Sequence, residues 1–200
     1  MLVTSSVDHL VEVVRRTDPE HIVFDLDGTL TRLDLPWEEW IAQILGAITD
    51  PASRHRLERS LYEPGAAWGV VLNECVATGR LSRDFIIRVS QDFERQYLTH
   101  LPNDALLQRL ADLGAGRRAF SIWTSNTRRT VARVLEDTRI AKHFGLVVAC
   151  EDVRFGKPDG EGWRGLFGVA PPNRCLIVGD SDNDALAAQS VGVAFVRIEC

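Results

Sequence analysis

The chain has 200 residues, of which 45% are hydrophobic and 26% are charged, and its formal net charge at pH 7 is -5. These values are typical of one globular domain, or of one domain that carries a smaller inserted module, and they argue against long disordered, collagen-like or coiled-coil segments. An acidic chain offers little electrostatic attraction to nucleic acid or to an anionic membrane, so we expect neither as a partner.

The N-terminal residues mix charge into their apolar positions and contain no stretch that would suit a signal peptide or a membrane span. The four cysteines show no CxxC pair and no spacing typical of metal ligands; they are Cys75, Cys150, Cys175 and Cys200. We therefore expect reduced cysteines and a cytoplasmic protein.

Apolar residues at helical spacing predict a first helix from residue 7 to the Asp18-Pro19 pair. Five short β-branched or apolar runs then predict buried strands at 21–25, 119–123, 146–150, 175–179 and 193–198. Helical patterns lie between the later strands, at 127–141, 161–168 and 182–190. Strands that alternate with helices indicate a parallel sheet covered on both faces.

The first two predicted strands are about 90 residues apart, whereas a crossover needs roughly a dozen. Four helical patterns fill this gap, at 37–45, 52–62, 68–76 and 83–98. We predict a helical module over 35–101, inserted into a core domain that consists of 1–34 and 102–200. A helix over 102–113, begun by Pro102 and ended by Gly114, is expected to return the chain to the sheet.

Two carboxylates follow the first strand directly, in the segment Asp25-Leu26-Asp27-Gly28. Residues two apart in a strand point to the same side, so we expect Asp25 and Asp27 to do so. An ordinary Asp-Gly turn would explain Asp27 and Gly28 alone. The second carboxylate has little structural use there, because like charges disfavour each other.

The segment 179–184, GDSDND, repeats this pattern after the fourth strand. Asp180 and Asp184 are four residues apart, so they can share a face as the chain turns into the next helix. Taken alone, the segment could be a helix N-terminus enriched in acidic and capping residues. Asp182 offers a further oxygen to which the pattern assigns no role.

Convergence of Asp25, Asp27, Asp180 and Asp184 would place up to four negative charges together. Lys157 is the one lysine near a strand end and cancels only one of them. A divalent cation is then required. Because every donor is an oxygen, with no His or Cys in either segment, Mg²⁺ is favoured over Zn²⁺, and Mg²⁺ indicates phosphate chemistry.

Two other segments suit an anion. Thr124, Ser125 and Asn126 follow the second strand at the start of a helix, where hydroxyl and N–H groups can bind a phosphate, although a plain helix cap uses the same residues. Lys157 stands in a Gly-Lys-Pro turn and is one of only two lysines, the other being Lys142. A functional role for Lys157 is therefore favoured over that of a surface lysine.

Four motifs, DLDGTL at 25–30, the Thr124 segment, GKP at 156–158 and GDSDND at 179–184, resemble in order and spacing those of the haloacid dehalogenase-like (HAD) superfamily of phosphohydrolases. The stretch 124–160 is similar to its phosphoglycolate-phosphatase-like branch. The resemblance implies a Rossmann-like α/β fold. Its three-layer parallel sheet would have the order 3-2-1-4-5, counted over the five predicted strands, and the inserted module would be a helical cap.

By the same resemblance, Asp25 is the nucleophile that forms an aspartyl-phosphate, and Asp27 is the general acid and base. Mg²⁺ would be held by the Asp25 carboxylate, the Asp27 backbone carbonyl and the Asp180 carboxylate. Asp184 would either reach the metal through water or orient Lys157. The implied phosphate-binding residues are Thr124, Ser125, Asn126 and Lys157, of which Thr124 and Lys157 also count as catalytic.

The sequence therefore predicts a Mg²⁺-dependent phosphomonoester hydrolase that acts on a small phosphorylated metabolite. Asp27 argues against a dehalogenase, which lacks an acid at that position, and the absence of lysine from 35–101 argues against the imine-forming phosphonatase branch. A sugar phosphomutase and a noncatalytic binding protein on this fold remain alternatives. The sequence sets neither the substrate nor the oligomeric state.

The inserted module would contact the leaving group and so determine which substrate is accepted. Trp37, Trp40 and Trp68 could stack on a ring there, although aromatic residues at helical spacing are more typical of a core. Single arginines could contact an anion, although their pattern is more typical of a solvated helix face; these are Arg54, Arg56 and Arg59.

Overall fold

The computed structural model describes residues 6–62, 68–114, 118–167, 171–198 and 200. Its strands are β1 (His21–Phe24), β2 (Thr31–Asp34), β3 (Thr99–Pro102), β4 (Ala119–Trp123), β5 (Phe144–Val148), β6 (Cys175–Gly179) and β7 (Ala194–Arg197). Its α-helices are α1 (Val7–Thr17), α2 (Trp37–Ala47), α3 (Pro51–Tyr62), α4 (Trp68–Ala77), α5 (Arg83–Tyr97), α6 (Asp104–Leu107), α7 (Leu110–Leu113), α8 (Arg128–Thr138), α9 (Glu161–Phe167) and α10 (Asp182–Val191).

Five strands form one parallel sheet in the order β5-β4-β1-β6-β7. They are the five predicted strands in the predicted order, and their labels differ only because β2 and β3 intervene along the chain. The strands at 119–123 and 175–179 have the predicted bounds, and the bounds of the other three differ by one or two residues, as is usual at element ends. The predicted helix at 161–168 is present to Phe167, and residue 168 lies outside the described residues.

Side chains that alternate along the strands build a separate core on each face of the sheet. Ile22 and Phe24 pack with apolar residues of α1, α6, α7 and α8. Val23, between them, packs on the other face with Trp163 of α9 and Ala187 of α10. This period of two, with helices on both faces, confirms the three-layer α/β fold.

A two-stranded antiparallel ribbon, β2 with β3, was not predicted. It pairs Thr31 with Pro102 and Asp34 with Thr99, so it joins the two ends of the segment that carries α2 to α5. The four predicted helices of this segment are all present. The division into a core of 1–34 and 102–200 and a cap of 35–101 stays a prediction.

The predicted helix over 102–113 is wrong at its start and in its continuity. Pro102 ends β3, where its pairing with Thr31 keeps the backbone extended, and helix formation begins only after Asn103, whose side chain accepts a hydrogen bond from Leu106 N at 3.2 Å. The helix is then divided into α6 and α7. Gly114 follows α7, as the sequence indicated.

The four cysteines form no disulfide, and Cys75, Cys150 and Cys175 are buried. Within the described ranges, every helix is too short or too polar to cross a lipid bilayer.

Candidate active site

The register of the sheet brings three sequence-predicted positions to one edge. Phe24, the last residue of β1, is level with Ile122 of β4 and with Val178 of β6. Asp25 therefore leaves the sheet beside the ends of both neighbouring strands, from which Thr124 and Asp180 follow. Carboxyl ends of parallel strands form such a shared edge, and ligand sites of open α/β sheets lie there.

Lys157 lies between two carboxylates at this edge. Its Nζ donates to Asp25 Oδ1 at 2.7 Å and to Asp184 Oδ1 at 2.5 Å, and all three side chains are buried. Burial alone would lower the pKa of Lys157, but the Asp184 and Asp25 carboxylates outweigh it and raise that pKa to about 12. Lys157 is therefore a fixed ammonium charge rather than a proton donor.

Asp184 is held from its other side by Ser181. Asp184 Oδ2 accepts from Ser181 N at 3.1 Å and from Ser181 Oγ at 2.5 Å, while Ser181 Oγ accepts from Asp184 N at 3.3 Å. This reciprocal capping box begins α10. It aims the remaining oxygen of Asp184 at Lys157, which is one of the two roles predicted for that carboxylate.

Gly28, the residue after Asp27, lies against the Asp180 carboxylate. Gly28 has φ of +79°, and a β-carbon there would lie 2.2 Å from Asp180 Oδ2. Asp27 Oδ1 accepts from Leu33 N at 2.8 Å. Burial nevertheless raises the pKa of Asp27 to about 6, the range that suits a group which both donates and accepts a proton near neutrality.

The carboxylates at this edge fit a divalent cation. Asp25, Asp180 and Asp184 each offer one oxygen, and these oxygens lie within 4.8 Å of one another. Burial, with the charge of Asp184, raises the pKa of Asp180 to about 7, and burial raises the pKa of Asp25 well above its ordinary value although Lys157 opposes this. Burial and the neighbouring carboxylates thus both disfavour the charged forms, and a hard cation with oxygen ligands would favour them.

The predicted phosphate loop is strongly hydrogen-bonded within itself. Thr124 Oγ1 donates to Asn126 Oδ1 at 2.8 Å and accepts from Asn126 N at 3.1 Å. Both side chains are buried, whereas Ser125 between them is exposed. Thr124 and Ser125 reach the same cavity as the carboxylates, so their predicted contact with a phosphoryl group is sterically open.

Glu94 of α5 occupies the N-terminus of α8, where the sequence suggested a phosphate. Its carboxylate accepts from Thr127 N at 3.1 Å, from the hydroxyls of Thr127 and Thr130, and from Asn126 Nδ2 at 3.4 Å. Burial raises the pKa of Glu94, and these hydrogen bonds oppose that rise. The anion at this helix end is therefore a side chain of the protein itself, and Asn126 is oriented by it.

Asp182, which the sequence left unassigned, turns away from the other carboxylates. Its Oδ1 accepts from Arg197 Nη2 at 2.5 Å, and Arg197 Nη1 donates to the Asp180 carbonyl oxygen at 2.6 Å. Arg197 thus holds the backbone of Asp180, and Asp182 is the ion-pair partner of Arg197.

Helix α4 contacts the loop that carries Lys157. Asn73 Nδ2 donates to the Gly156 carbonyl oxygen at 2.7 Å, and Asn73 Oδ1 accepts from Gly156 N at 3.1 Å. Gly69 N donates to Asn183 Oδ1 at 3.2 Å. Helices of the inserted segment therefore touch the edge of the sheet directly, with a cavity of about 320 Å³ enclosed between them.

Comparison with known proteins agrees with this geometry. Residues 19–192 match the family described as haloacid dehalogenase-like hydrolases. The chain belongs to the haloacid dehalogenase-like hydrolases. The match includes all four motifs that carried the resemblance, and it confirms the predicted superfamily and the prediction of an enzyme.

Individual members of the HAD family are distant in sequence. A phosphoglycolate phosphatase of Photorhabdus laumondii is 28% identical over 196 residues, which cover 88% of this chain and 79% of that protein. A phosphorylated carbohydrates phosphatase of Thermotoga maritima is 23% identical over 177 residues, covering 87% and 82%. A structure from Bacteroides fragilis assigned to the haloacid dehalogenase-like hydrolases is 24% identical, covers 88% of this chain and 86% of its own, and has a TM-score of 0.60. These relatives support the predicted class of enzyme, a phosphatase, and the structure supports the fold.

Sequence patterns did not indicate three residues of this HAD site, namely Glu94, Asn73 and Arg197. Each acts across a long sequence separation; Asn73, for example, binds Gly156. Glu94 lies in the amphipathic helix α5. The available signal in the sequence was an acidic residue on the apolar face of that helix.

Proposed function

We propose that this HAD family member is a Mg²⁺-dependent phosphomonoester hydrolase that acts on a small organic phosphate through an aspartyl-phosphate. The observation that carries the proposal is the buried arrangement of Asp25, Lys157 and Asp184, joined by hydrogen bonds of 2.7 and 2.5 Å at the floor of an open cavity. A buried carboxylate paired with a fixed ammonium charge suits a nucleophile beside a phosphate-binding cation.

In the first step, an oxygen of the Asp25 carboxylate attacks phosphorus and the bond from phosphorus to the ester oxygen breaks. Asp27, whose pKa burial raises to about 6, gives its proton to the departing alkoxide. The alcohol leaves, and the phosphoryl group stays on Asp25.

In the second step, a water molecule attacks phosphorus and Asp27 takes the proton of that water. The bond between the Asp25 oxygen and phosphorus breaks, which releases inorganic phosphate and restores both carboxyl groups to their starting states. Lys157 and Thr124 are placed to contact phosphoryl oxygens during both steps, because both line the cavity beside Asp25.

Mg²⁺ would be held by Asp25 and Asp180, with the Asp27 backbone carbonyl as a further oxygen, and would neutralise charge on the phosphoryl group. Asp184 belongs to the same group of oxygens and also accepts from Lys157. We assign it the positioning of Lys157, since both its oxygens are already hydrogen-bonded.

Phosphate release from a panel of small phosphomonoesters, with and without Mg²⁺, tests the proposal. Wild-type turnover should require Mg²⁺, and Asp25→Asn, which keeps the size of the side chain, should reduce it by roughly 10³-fold or more. Asp182→Asn, at a carboxylate turned toward Arg197, serves as the matched control and should keep most of the activity.

Two other results would replace the proposal. Activity with a sugar phosphate that appears only after a bisphosphate is added would identify a phosphomutase. Tight binding of Mg²⁺ and of phosphate esters, with no release of phosphate from any of them, would identify a noncatalytic binding protein.

The proposed partner is a small phosphorylated metabolite, because the cavity of about 320 Å³ has the size of a small-molecule site. The relatives named above act, by their descriptions, on phosphoglycolate or on phosphorylated carbohydrates. The proposed location is the cytoplasm, where the four free cysteines would stay reduced.

A further inference from the structure

The cavity above the carboxylates has a second group of lining residues that the phosphoryl chemistry does not use. Helix α2 supplies Trp37, Trp40 and Ile41, and α4 supplies Trp68. All four belong to the segment inserted between β2 and β3. The three tryptophans pack on one another, as residues of a core do, and they also line the cavity.

The three indoles form one connected surface. The Trp40 ring lies 6.1 Å from the Trp37 ring and 6.0 Å from the Trp68 ring, both in edge-to-face geometry. Trp40 is buried, and its indole nitrogen donates to Ser90 Oγ at 3.0 Å. Trp37, at the outer end of the row, keeps 36% of its surface exposed. A ligand in the cavity would therefore meet an aromatic wall that is already held in place.

The charges of the lining disfavour an acidic leaving group. Among the described residues that line the cavity, Lys157 is the single basic side chain, and Asp25 and Asp184 already engage it. The acidic lining residues are Asp25, Asp27, Glu94, Asp180 and Asp184. A carboxylate or a second phosphate on the leaving group would find like charges and no uncommitted cation among these residues.

The arginines that could have supplied such a cation lie elsewhere. Arg56 forms a two-pronged ion pair with Glu74, at 2.9 and 2.8 Å, on the exposed surface of the inserted segment. Neither Arg54 nor Arg59 lines the cavity. Among the described lining residues, the helices of this segment thus present aromatic rings and the acid Glu94, but no basic side chain.

We propose that the preferred substrates are phosphomonoesters of neutral alcohols that carry an aromatic ring, which packs against Trp37, Trp40 and Trp68. This inference rests on the proposed phosphomonoesterase function and specifies its substrate class. It predicts that a carboxylated ester such as phosphoglycolate is a poor substrate, although a relative of this chain is a phosphoglycolate phosphatase.

Three esters of alkyl alcohols test the inference on the unaltered protein with Mg²⁺. They are benzyl phosphate, cyclohexylmethyl phosphate of similar size without an aromatic face, and phosphoglycolate. The ratio of kcat/KM for benzyl over cyclohexylmethyl phosphate should be roughly threefold to tenfold, as expected for an aromatic contact, and phosphoglycolate should be slower than both.

Two substitutions at Trp37, the exposed end of the tryptophan row, test whether this row causes the preference for benzyl phosphate. Trp37→Leu should lower the benzyl preference by roughly threefold, whereas Trp37→Phe should retain most of it. Val70→Ala, at an exposed apolar position of α4 outside the cavity lining, is the matched control and should leave the ratio unchanged.

The outcomes separate the two proposals. Faster turnover of phosphoglycolate than of benzyl phosphate, or equal turnover of the two ring-bearing esters, would overturn the substrate class and leave the phosphomonoesterase intact. A benzyl preference that Trp37→Leu does not alter would overturn the aromatic contact. Phosphate release from other phosphomonoesters of the panel but from none of these three would overturn this inference alone, whereas no release from any phosphomonoester would overturn the phosphomonoesterase function as well.

Discussion

Gly69 of α4 faces the backbone carbonyl of Lys157 so closely that a β-carbon on Gly69 would lie 2.1 Å from that oxygen. The same glycine donates its N–H to Asn183 Oδ1 at 3.2 Å. A helix of the inserted segment is therefore seated on the backbone of the lysine that pairs with Asp25. The approach of α4 to the sheet edge and the position of the Lys157 backbone are therefore coupled at Gly69.

Gly69→Ala should separate α4 from the Lys157 loop, because a backbone carbonyl cannot yield to a β-carbon at 2.1 Å. We expect kcat/KM to fall by roughly tenfold to a hundredfold, since misplacement by about an ångström has effects of this size. Steady-state kinetics with a small phosphomonoester provide the measurement. Gly46→Ala in α2, where a β-carbon would meet nothing within 4 Å, is the control. Unchanged kinetics in Gly69→Ala would show that this contact has no part in turnover.

Mg²⁺ should stabilise the folded protein through the carboxylate cluster. At 100 times its Kd, the ion should add about 2.7 kcal/mol to the free energy of unfolding, seen as a rise in Tm. Asp180→Asn should lose most of that rise and, without Mg²⁺, should be more stable than the wild type, because it removes repulsion between buried carboxylates.

The control for the Mg²⁺ measurement is Asp182→Asn, which alters the neighbouring acid that pairs with Arg197. It should keep the full rise in Tm. If Asp182→Asn and not Asp180→Asn loses the Mg²⁺ effect, the assignment of ligands is wrong.

Glu94→Gln should destabilise the fold and disturb the Thr124 loop together. Gln offers a single acceptor oxygen: if it takes the contacts with Thr127 and Thr130, its amide nitrogen faces Asn126 Nδ2, so a buried donor is left without a partner, at about 1–3 kcal/mol. Urea unfolding measures the loss, and kcat should also fall because Asn126 loses its partner. Glu136→Gln, at an exposed acid of α8, should change stability by less than about 0.5 kcal/mol. Equal stability of the two variants would refute the role of Glu94.

His21 should make the fold less stable in mild acid. Burial lowers the pKa of His21 below its ordinary 6.5, while its Nε2 lies 3.0 Å from Ser121 Oγ. Below pH 6.5 the unfolded chain therefore binds a proton more readily than the folded protein does. The contribution of His21 to stability is complete above pH 6.5 and is lost as the pH falls toward the folded-state pKa, and it is small because solvent screens the half-buried ring.

Urea unfolding at pH 7.5 and pH 5.5 tests this prediction. Replacement of the titrating group in His21→Gln should make the loss of stability between the two pH values smaller than in the wild type. His55→Gln, at an exposed position of α3, should lose as much stability as the wild type does. An identical pH dependence in His21→Gln and wild type would exclude His21 as the cause.

Local patterns indicated the five strands of the parallel sheet and most of the helices, because buried strands of such a sheet are short apolar runs. The strand order implied by the HAD resemblance then placed Asp25, Thr124 and Asp180 on neighbouring strand ends at one edge. Lys157 was identified by its rarity and its Gly-Lys-Pro turn. The structure brings all four to one cavity, as that argument required.

Local patterns failed where a distant partner decides the conformation. Pro102 looks like the first residue of a helix, yet its pairing with Thr31 makes it the end of a strand. At the start of α8, Thr127 N donates to Glu94 of another helix, a partner that the sequence did not indicate. In both places the local preference is worth about a kilocalorie per mole or less, and tertiary contacts exceed it.

The amino-acid sequence by itself determined the strands of the sheet and the carboxylates that follow two of them, because these follow from periodicity and from the spacing of charges within a few residues. Only the tertiary structure decided how the inserted helices contact that edge: Asn73 on Gly156, Gly69 on Lys157, and a tryptophan wall above Asp25. Such contacts depend on the packing of helix faces between segments far apart in the chain, and a single sequence carries no periodic signal for which faces meet.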